Sequence, residues 1–214
     1  MATVLAVLTS ARRNGYTASL LSEAIEGARQ VEGVTVDARN LHDYHFGPCT
    51  SCFACIRSDD HLCVLKDDMG GDGELWQALT HANGLILADP VHGWGLSAGA
   101  HLLFERLYPA LFSAAFNGMP FGSISCASNQ GMQHLARNEI CKWAFCKGFR
   151  YQGGLAVHCV YLAEGKREAA ALGRRVAEAA LKDETEAASR TPTRSASWPT
   201  PTRTGSPTSL TSPT

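Results

Sequence analysis

Residues 3–17 read Thr3-Val4-Leu5-Ala6-Val7-Leu8-Thr9-Ser10-Ala11-Arg12-Arg13-Asn14-Gly15-Tyr16-Thr17. The first part, 3–8, is a short apolar run of the length expected of a strand buried on both faces of a parallel sheet. A polar turn follows, and residues 16–31 then carry Leu20, Leu21, Ala24, Ile25, Ala28 and Val31 at the spacing of one helix face. Working outward, the same alternation repeats. Strands are predicted over 34–39, 85–88, 120–127 and 154–161, and helices over 73–82, 97–112, 131–147 and 163–182. Five strands alternating with helices predict an α/β fold, a doubly wound five-stranded parallel sheet with helices on both faces.

The chain has 214 residues, enough for one domain with a substantial core and too few for two of ordinary size. Its formal net charge of −1 gives no electrostatic footprint for nucleic acid or for an anionic membrane surface. No apolar run approaches the ~18–20 residues of a membrane span. Met1–Leu8 has neither basic residues before it nor a small-residue cleavage site after it, so it reads as a first strand rather than a signal peptide. The expected location is cytoplasmic. Residues 189–214 are almost entirely Ser, Thr, Pro, Arg and Gly, with Trp198 the only aromatic. Such a stretch cannot bury enough apolar surface to offset its ordering entropy. The expected organisation is a domain over 1–183 and a disordered Ser/Thr/Pro-rich tail over 184–214.

In doubly wound sheets ligands sit at the carboxyl ends of the strands. At the first such end the chain offers hydroxyls at Ser10 and Thr17, a turn at Asn14-Gly15 and a helix starting near Tyr16. Free N–H groups and the positive end of the helix dipole make that start an anion site, to which Arg12 can add charge-assisted bonds. Neither the G-x-G-x-x-G nor the Walker A fingerprint is present. Read by itself, the loop is equally an ordinary polar turn with a Thr cap.

The pattern Ser10-x-Arg12-x-Asn14-Gly15-x-Thr17 after a first strand resembles the loop of the NAD(P)H-dependent FMN reductase group of the flavodoxin superfamily. That resemblance implies a flavodoxin-like strand order of 2-1-3-4-5. It also implies that Ser10, Arg12, Asn14 and Thr17 hold an FMN phosphate, with Tyr16 among the cofactor contacts. Asp89-Pro90-Val91-His92-Gly93-Trp94-Gly95-Leu96-Ser97-Ala98 is similar to the group's Ser-Pro-Val-Tyr-aromatic-Gly-x-x-Ser-Ala loop, which implies that Pro90, Val91, His92, Gly93 and Trp94 line the isoalloxazine ring. Here the sequence departs from the group: Asp89 stands for Ser, His92 for Tyr, and the glycine and the aromatic are exchanged at Gly93-Trp94. A third loop, Ala127 to Gly131, falls where the group makes its last flavin contacts, implying Ser128, Asn129 and Gly131. The resemblance covers about residues 1–180.

Eight cysteines without a secretory signal argue for metal or redox chemistry rather than a disulfide framework. Four of them form Cys49-x2-Cys52-x2-Cys55-x7-Cys63 in a loop over 48–63. Zinc sites usually show two separated C-x-x-C pairs, whereas three cysteines at successive two-residue gaps with a nearby fourth suit a compact [4Fe-4S] site. Zinc and free or structural thiols are the competing readings. The spacing, and Val64 to Met69 after it, resemble the iron–sulfur flavoprotein branch of the same group, implying Cys49, Cys52, Cys55 and Cys63 as cluster ligands. The loop leaves the end of the second strand, on the sheet edge that also carries the phosphate loop, so the cysteines are expected beside the flavin. Cys126, Cys141, Cys146 and Cys159 lie at no ligand spacing and read as buried small hydrophobes.

The resemblance thus implies an FMN-dependent oxidoreductase passing electrons from NAD(P)H or ferredoxin through FMN, with a [4Fe-4S] relay, to an unidentified acceptor. NAD(P)H enters as co-substrate, and donor and acceptor are small molecules or redox proteins. A homo-oligomer is expected, with no nucleic acid and no membrane as partner. The alternatives are a non-enzymatic flavodoxin-like electron carrier, an FMN-only quinone or flavin reductase without a cluster, or a domain of this fold that binds no flavin. Such chemistry demands no general base or nucleophile of the protein, and none is assigned.

Overall fold

The structure, a computed structural model, describes residues 1–129 and 131–189. In chain order the elements are β1 (Ala2–Leu8), α1 (Tyr16–Arg29), β2 (Val34–Asn40), α2 (Ala54–Arg57), α3 (Glu74–His81), β3 (Gly84–Pro90), α4 (Ala98–Arg106), α5 (Ala110–Ser113), β4 (Pro120–Ala127), α6 (Gln133–Cys146), β5 (Arg150–His158) and α7 (Leu162–Ser189), with 3-10 turns at Leu41–Asp43 and Cys159–Tyr161. The strands form one sheet in the order β2-β1-β3-β4-β5, every pair parallel. This is the expected order.

Alternation along the strands divides the core in two. Leu5, Val7, Leu85 and Leu87 pack with Leu75, Leu79, Leu103, Phe104 and Ile140 of α3, α4 and α6. Val4, Ala6, Ile86 and Ile124 pack on the other face with Leu20 and Ala24 of α1 and Leu172 and Val176 of α7. Both faces being covered, the inner strands must read as apolar runs rather than alternating ones. The α1–α7 crossing is tight enough to need glycine on both helices. A Cβ on Gly27 would stand 2.0 Å from the Ala170 carbonyl oxygen, and one on Gly173 1.8 Å from that of Ala24.

Three boundaries differ from expectation. The helix expected over 97–112 breaks after Arg106 and restarts at Ala110. Pro109, whose ring cannot follow a preceding helical turn, sits at the break. The fifth strand begins at Arg150 instead of 154 and ends at His158, because its first residues face solvent on an edge strand and carry no apolar pattern. A register shift at Phe121/Gly122 and Gly153 at φ +132° mark an irregularity in its pairing with β4. The last helix runs to Ser189, so the domain boundary expected at 183–184 falls inside α7. Tertiary bonds extend it: Asn83 donates to Glu184 at 2.9 Å, and Arg150 pairs with Asp183 at 2.7 Å. The tail from residue 190 lies outside the described residues. No described helix is long and apolar enough to cross a membrane.

Candidate functional site

At the carboxyl end of β1 the chain turns from Thr9 into α1. Asn40, the last residue of β2, donates to the Ser10 carbonyl at 3.0 Å and accepts from the His42 N–H at 2.9 Å, while the His42 ring lies 3.2 Å from the Thr9 carbonyl. The Ser10 hydroxyl accepts from the Arg12 N–H at 3.2 Å. Gly15 is the N-cap of α1, and no side chain caps that end. The first-turn amides of a helix have no partner within it, so they are available to an anion. The Arg12 side chain lies over Gly15, where a Cβ would stand 2.9 Å from Arg12 Cδ.

Ser10, Arg12, Tyr16 and Thr17 share the wall of one cavity of about 550 Å³ with Pro90, Val91 and His92 from the end of β3 and Ser128 from the end of β4. Cys126 lies on the same wall, and burial pushes its thiol up to about 11, with the neighbouring Cys159 adding to the rise and a Thr17 hydrogen bond opposing it. No Asp or Glu lines the cavity. Hydroxyls, a guanidinium and an uncapped helix start, with no acid among them, are a donor set that fits a phosphate-bearing cofactor.

Five of the expected residues are not on that wall. Asn14 lies outside it. Gly93 (φ +54°) and Trp94 (φ +63°) form the tip of a tight turn closed by reciprocal bonds of 3.1 Å between His92 and Gly95. Trp94 is 59% exposed at that tip. Asn129 and Gly131 also have positive φ, and the Asn129 carbonyl lies 3.2 Å from the His158 ring.

The residues that hold the loops together, Asp89 and Asn40, carry little signal in the sequence. Asp89 is completely buried and accepts from the Thr9 hydroxyl and from both the hydroxyl and N–H of Ser97, which in turn caps α4. The only sequence signal was its standing where the resembling group has Ser. Asn40 gave no signal, since its placement opposite Leu8 exists only in the assembled sheet.

All four clustered cysteines line a second cavity, of about 260 Å³, together with Glu105 and Arg106 of α4. The four are free thiols. Burial, and then charge on Cys63 and Cys49, push the Cys55 thiol up, whereas the Ala54 N–H, followed by the Thr50 hydroxyl, holds that of Cys52 down. Four soft sulfur donors around one cavity fit an iron–sulfur centre or zinc by chemistry. Among the described residues, however, no group of three or more His, Cys, Asp or Glu is arranged to hold a metal ion. This cavity shares no wall residue with the first. The cysteines border the carboxyl end of α4, where the Cys49 N–H meets Glu105 and the Arg106 guanidinium reaches Cys63. Of the remaining cysteines only Cys126 is buried; Cys146 ends α6 facing solvent beside Phe145, itself 82% exposed.

The profile of the family described as NADPH-dependent FMN reductase matches residues 2–157. An iron-sulfur flavoprotein of Methanocaldococcus jannaschii is 28% identical over 138 residues, covering 64% of this chain and 68% of that protein. Among solved structures, a flavone reductase superposes with a TM-score of 0.65 at 17% identity, over 85% of this chain and 64% of that one, just under two thirds of its length. A flavodoxin from the domain Archaea superposes with a TM-score of 0.56 at 12% identity, over 84% of this chain and 99% of that one. The structural likenesses are ones of fold.

Proposed function

The chain belongs to the NADPH-dependent FMN reductase family, and on that premise we propose that it is an oxidoreductase that takes electrons from NAD(P)H through FMN. The observation that carries this is the acid-free cavity uniting Ser10, Arg12, Thr17 and the uncapped start of α1 with the Pro90 loop. Bound FMN would supply the two-electron to one-electron chemistry that no side chain here offers. The protein's part is to hold and orient. Arg12 and the α1 amides would meet the phosphate, with Ser10 and Thr17 as hydroxyl donors. Pro90 and Val91 would give the ring an apolar wall, and His92 a polar one.

We further propose that Cys49, Cys52, Cys55 and Cys63 hold a [4Fe-4S] centre that relays single electrons to a redox partner, a small molecule or a protein. The shared cavity and the similarity to an iron-sulfur flavoprotein support this reading. A second reading, an FMN-only reductase with free thiols, is favoured by the finding that no three of the ligating side chains among the described residues are placed to hold a metal ion. Anaerobic purification with a visible spectrum, iron and acid-labile sulfide assays and an NAD(P)H oxidation assay tests both. FMN bands with oxidation of NAD(P)H are expected. Protein without flavin overturns the first proposal, and flavin with less than about one iron per chain replaces the cluster by the thiol reading.

A further inference from the structure

Two consecutive side chains at the carboxyl end of α4 reach into the cysteine loop. The Glu105 carboxylate accepts from the Cys49 N–H at 3.0 Å. Arg106, 1% exposed, has partners on every side. It gives the Asp67 carboxylate a two-pronged bond of 2.7 and 2.8 Å, donates to the Gly47 carbonyl at 2.7 Å, and points a further N–H at Cys63 Sγ, 3.5 Å away. The Phe46 ring lies 6.0 Å from its guanidinium carbon. Gly47 and Asp67 bracket the four cysteines in sequence, and Cys63 is the last of them. One side chain therefore ties both ends of the loop to the helix and touches a sulfur.

Packing does not explain an arginine at this place. Burying a guanidinium costs several kcal/mol before its partners repay it, and an apolar residue of similar volume would fill the space at least as well. What the guanidinium supplies is a planar fork of fixed geometry that serves four acceptor atoms on three residues at once, one more than the three N–H groups of an ammonium can reach. The loop requires such a hold. Ser51, Phe53 and His61 are all non-glycine residues in the left-handed region, at φ +53°, +56° and +54°. Each costs on the order of 1–3 kcal/mol and persists only where its surroundings fix it.

We propose that Arg106 is the positioning residue of the cysteine cavity, fixing Cys63 at its wall through the N–H···S contact while the Asp67 and Gly47 bonds hold the loop in shape before any metal is bound. The proposal rests on the reading of the four cysteines as ligands of one iron–sulfur centre. Hydrogen bonds to ligand sulfurs set the potential of such a centre, so Arg106 also tunes what it positions.

The test compares the full chain with its Arg106→Lys and Asp67→Asn variants. In metal-free protein, amide exchange over residues 47–71 is expected to be at least tenfold faster in Arg106→Lys, one tenfold step being about 1.4 kcal/mol, with the sheet amides still protected. In iron- and sulfide-reconstituted protein, Arg106→Lys is expected to lower the potential of the centre through loss of the N–H···S bond. Asp67→Asn breaks the same ion pair but leaves that bond and removes a nearby negative charge, and is expected to hold or raise the potential rather than lower it. Unchanged exchange in Arg106→Lys overturns the proposal. So do equal shifts of potential in the two variants, since Arg106 would then act only as half of an ion pair. Parent protein that takes up no iron sinks the four-ligand reading alone, and the exchange measurement still decides whether Arg106 shapes the loop. If Arg106→Lys does not fold, Arg106→Gln takes its place with the same expectations.

Discussion

Ser97 donates its hydroxyl to one oxygen of Asp89 at 2.5 Å and its backbone N–H to the other at 3.1 Å. Thr9 adds a third bond from the end of β1. The loop after β1, the end of β3 and the start of α4 are thereby knotted around one buried carboxylate served by neutral donors, alongside the proposed flavin cavity.

That carboxylate sets a pH dependence. Burial raises the Asp89 carboxyl above the usual range, and the Ser97 and Thr9 bonds offset part of the rise. The native state then keeps the proton to higher pH than the unfolded chain does. The Asp89 contribution to stability accordingly falls as pH rises from about 4, the unfolded value, through the folded value, and is flat above it. Asp89→Asn does not titrate. The urea midpoint of the parent protein relative to Asp89→Asn is expected to drop as pH rises from about 4 through the acid range toward neutrality. A difference constant across that range would show that Asp89 keeps an ordinary carboxylate pKa in the fold.

Replacing Ser10 and Thr17 together by Ala removes two hydroxyls from the cavity wall. Bonds to a charged group are worth about 1.5–3 kcal/mol each, so FMN affinity is expected to weaken at least tenfold. Flavin titration followed by fluorescence measures this, and unchanged affinity would place the phosphate elsewhere.

Cys55→Ala separates the two cavities. They share no wall residue, so reconstituted iron is expected to be lost while FMN content stays near that of the parent. Iron and flavin assays on the same sample decide it. Simultaneous loss of flavin would show that the cysteine loop also shapes the flavin cavity.

Gly173→Ala sets two effects against each other. Alanine favours helix by about 1 kcal/mol. Against this, its methyl would stand 1.8 Å from the Ala24 carbonyl oxygen, and such overpacking costs about 1–3 kcal/mol with backbone displacement. The clash is with backbone, which cannot swing aside, so net destabilisation is expected. Chemical denaturation checks the sign, and an unchanged or higher midpoint would mean that the α1–α7 crossing opens freely.

Much of the architecture was legible in the chain because strand and helix periods are local. The apolar run at 3–8 and the helical stripe from Leu20 to Ala28 carry their own burial pattern, and β1 and α1 occupy almost those spans. The break at Pro109 has a local signal too, since proline disfavours a helical residue before it. Start and end of β5 were not legible, since an edge strand with exposed residues has no period to read.

Sequence by itself determined which residue types stand at the carboxyl ends of β1, β3 and β4, and that four cysteines crowd one loop. A residue's number along the chain fixes those facts. Only the tertiary structure decided what meets what: that Asn40 supports Ser10 from a neighbouring strand, that Trp94 sits at an exposed turn, and that the cysteines border α4. It also decided that Arg106 reaches back to Gly47 and Cys63. Such pairings lie tens of residues apart, and they come about only when sheet order and helix packing close the intervening loops. Local periodicity fixes the elements, but the burial of both sheet faces at once fixes their neighbours.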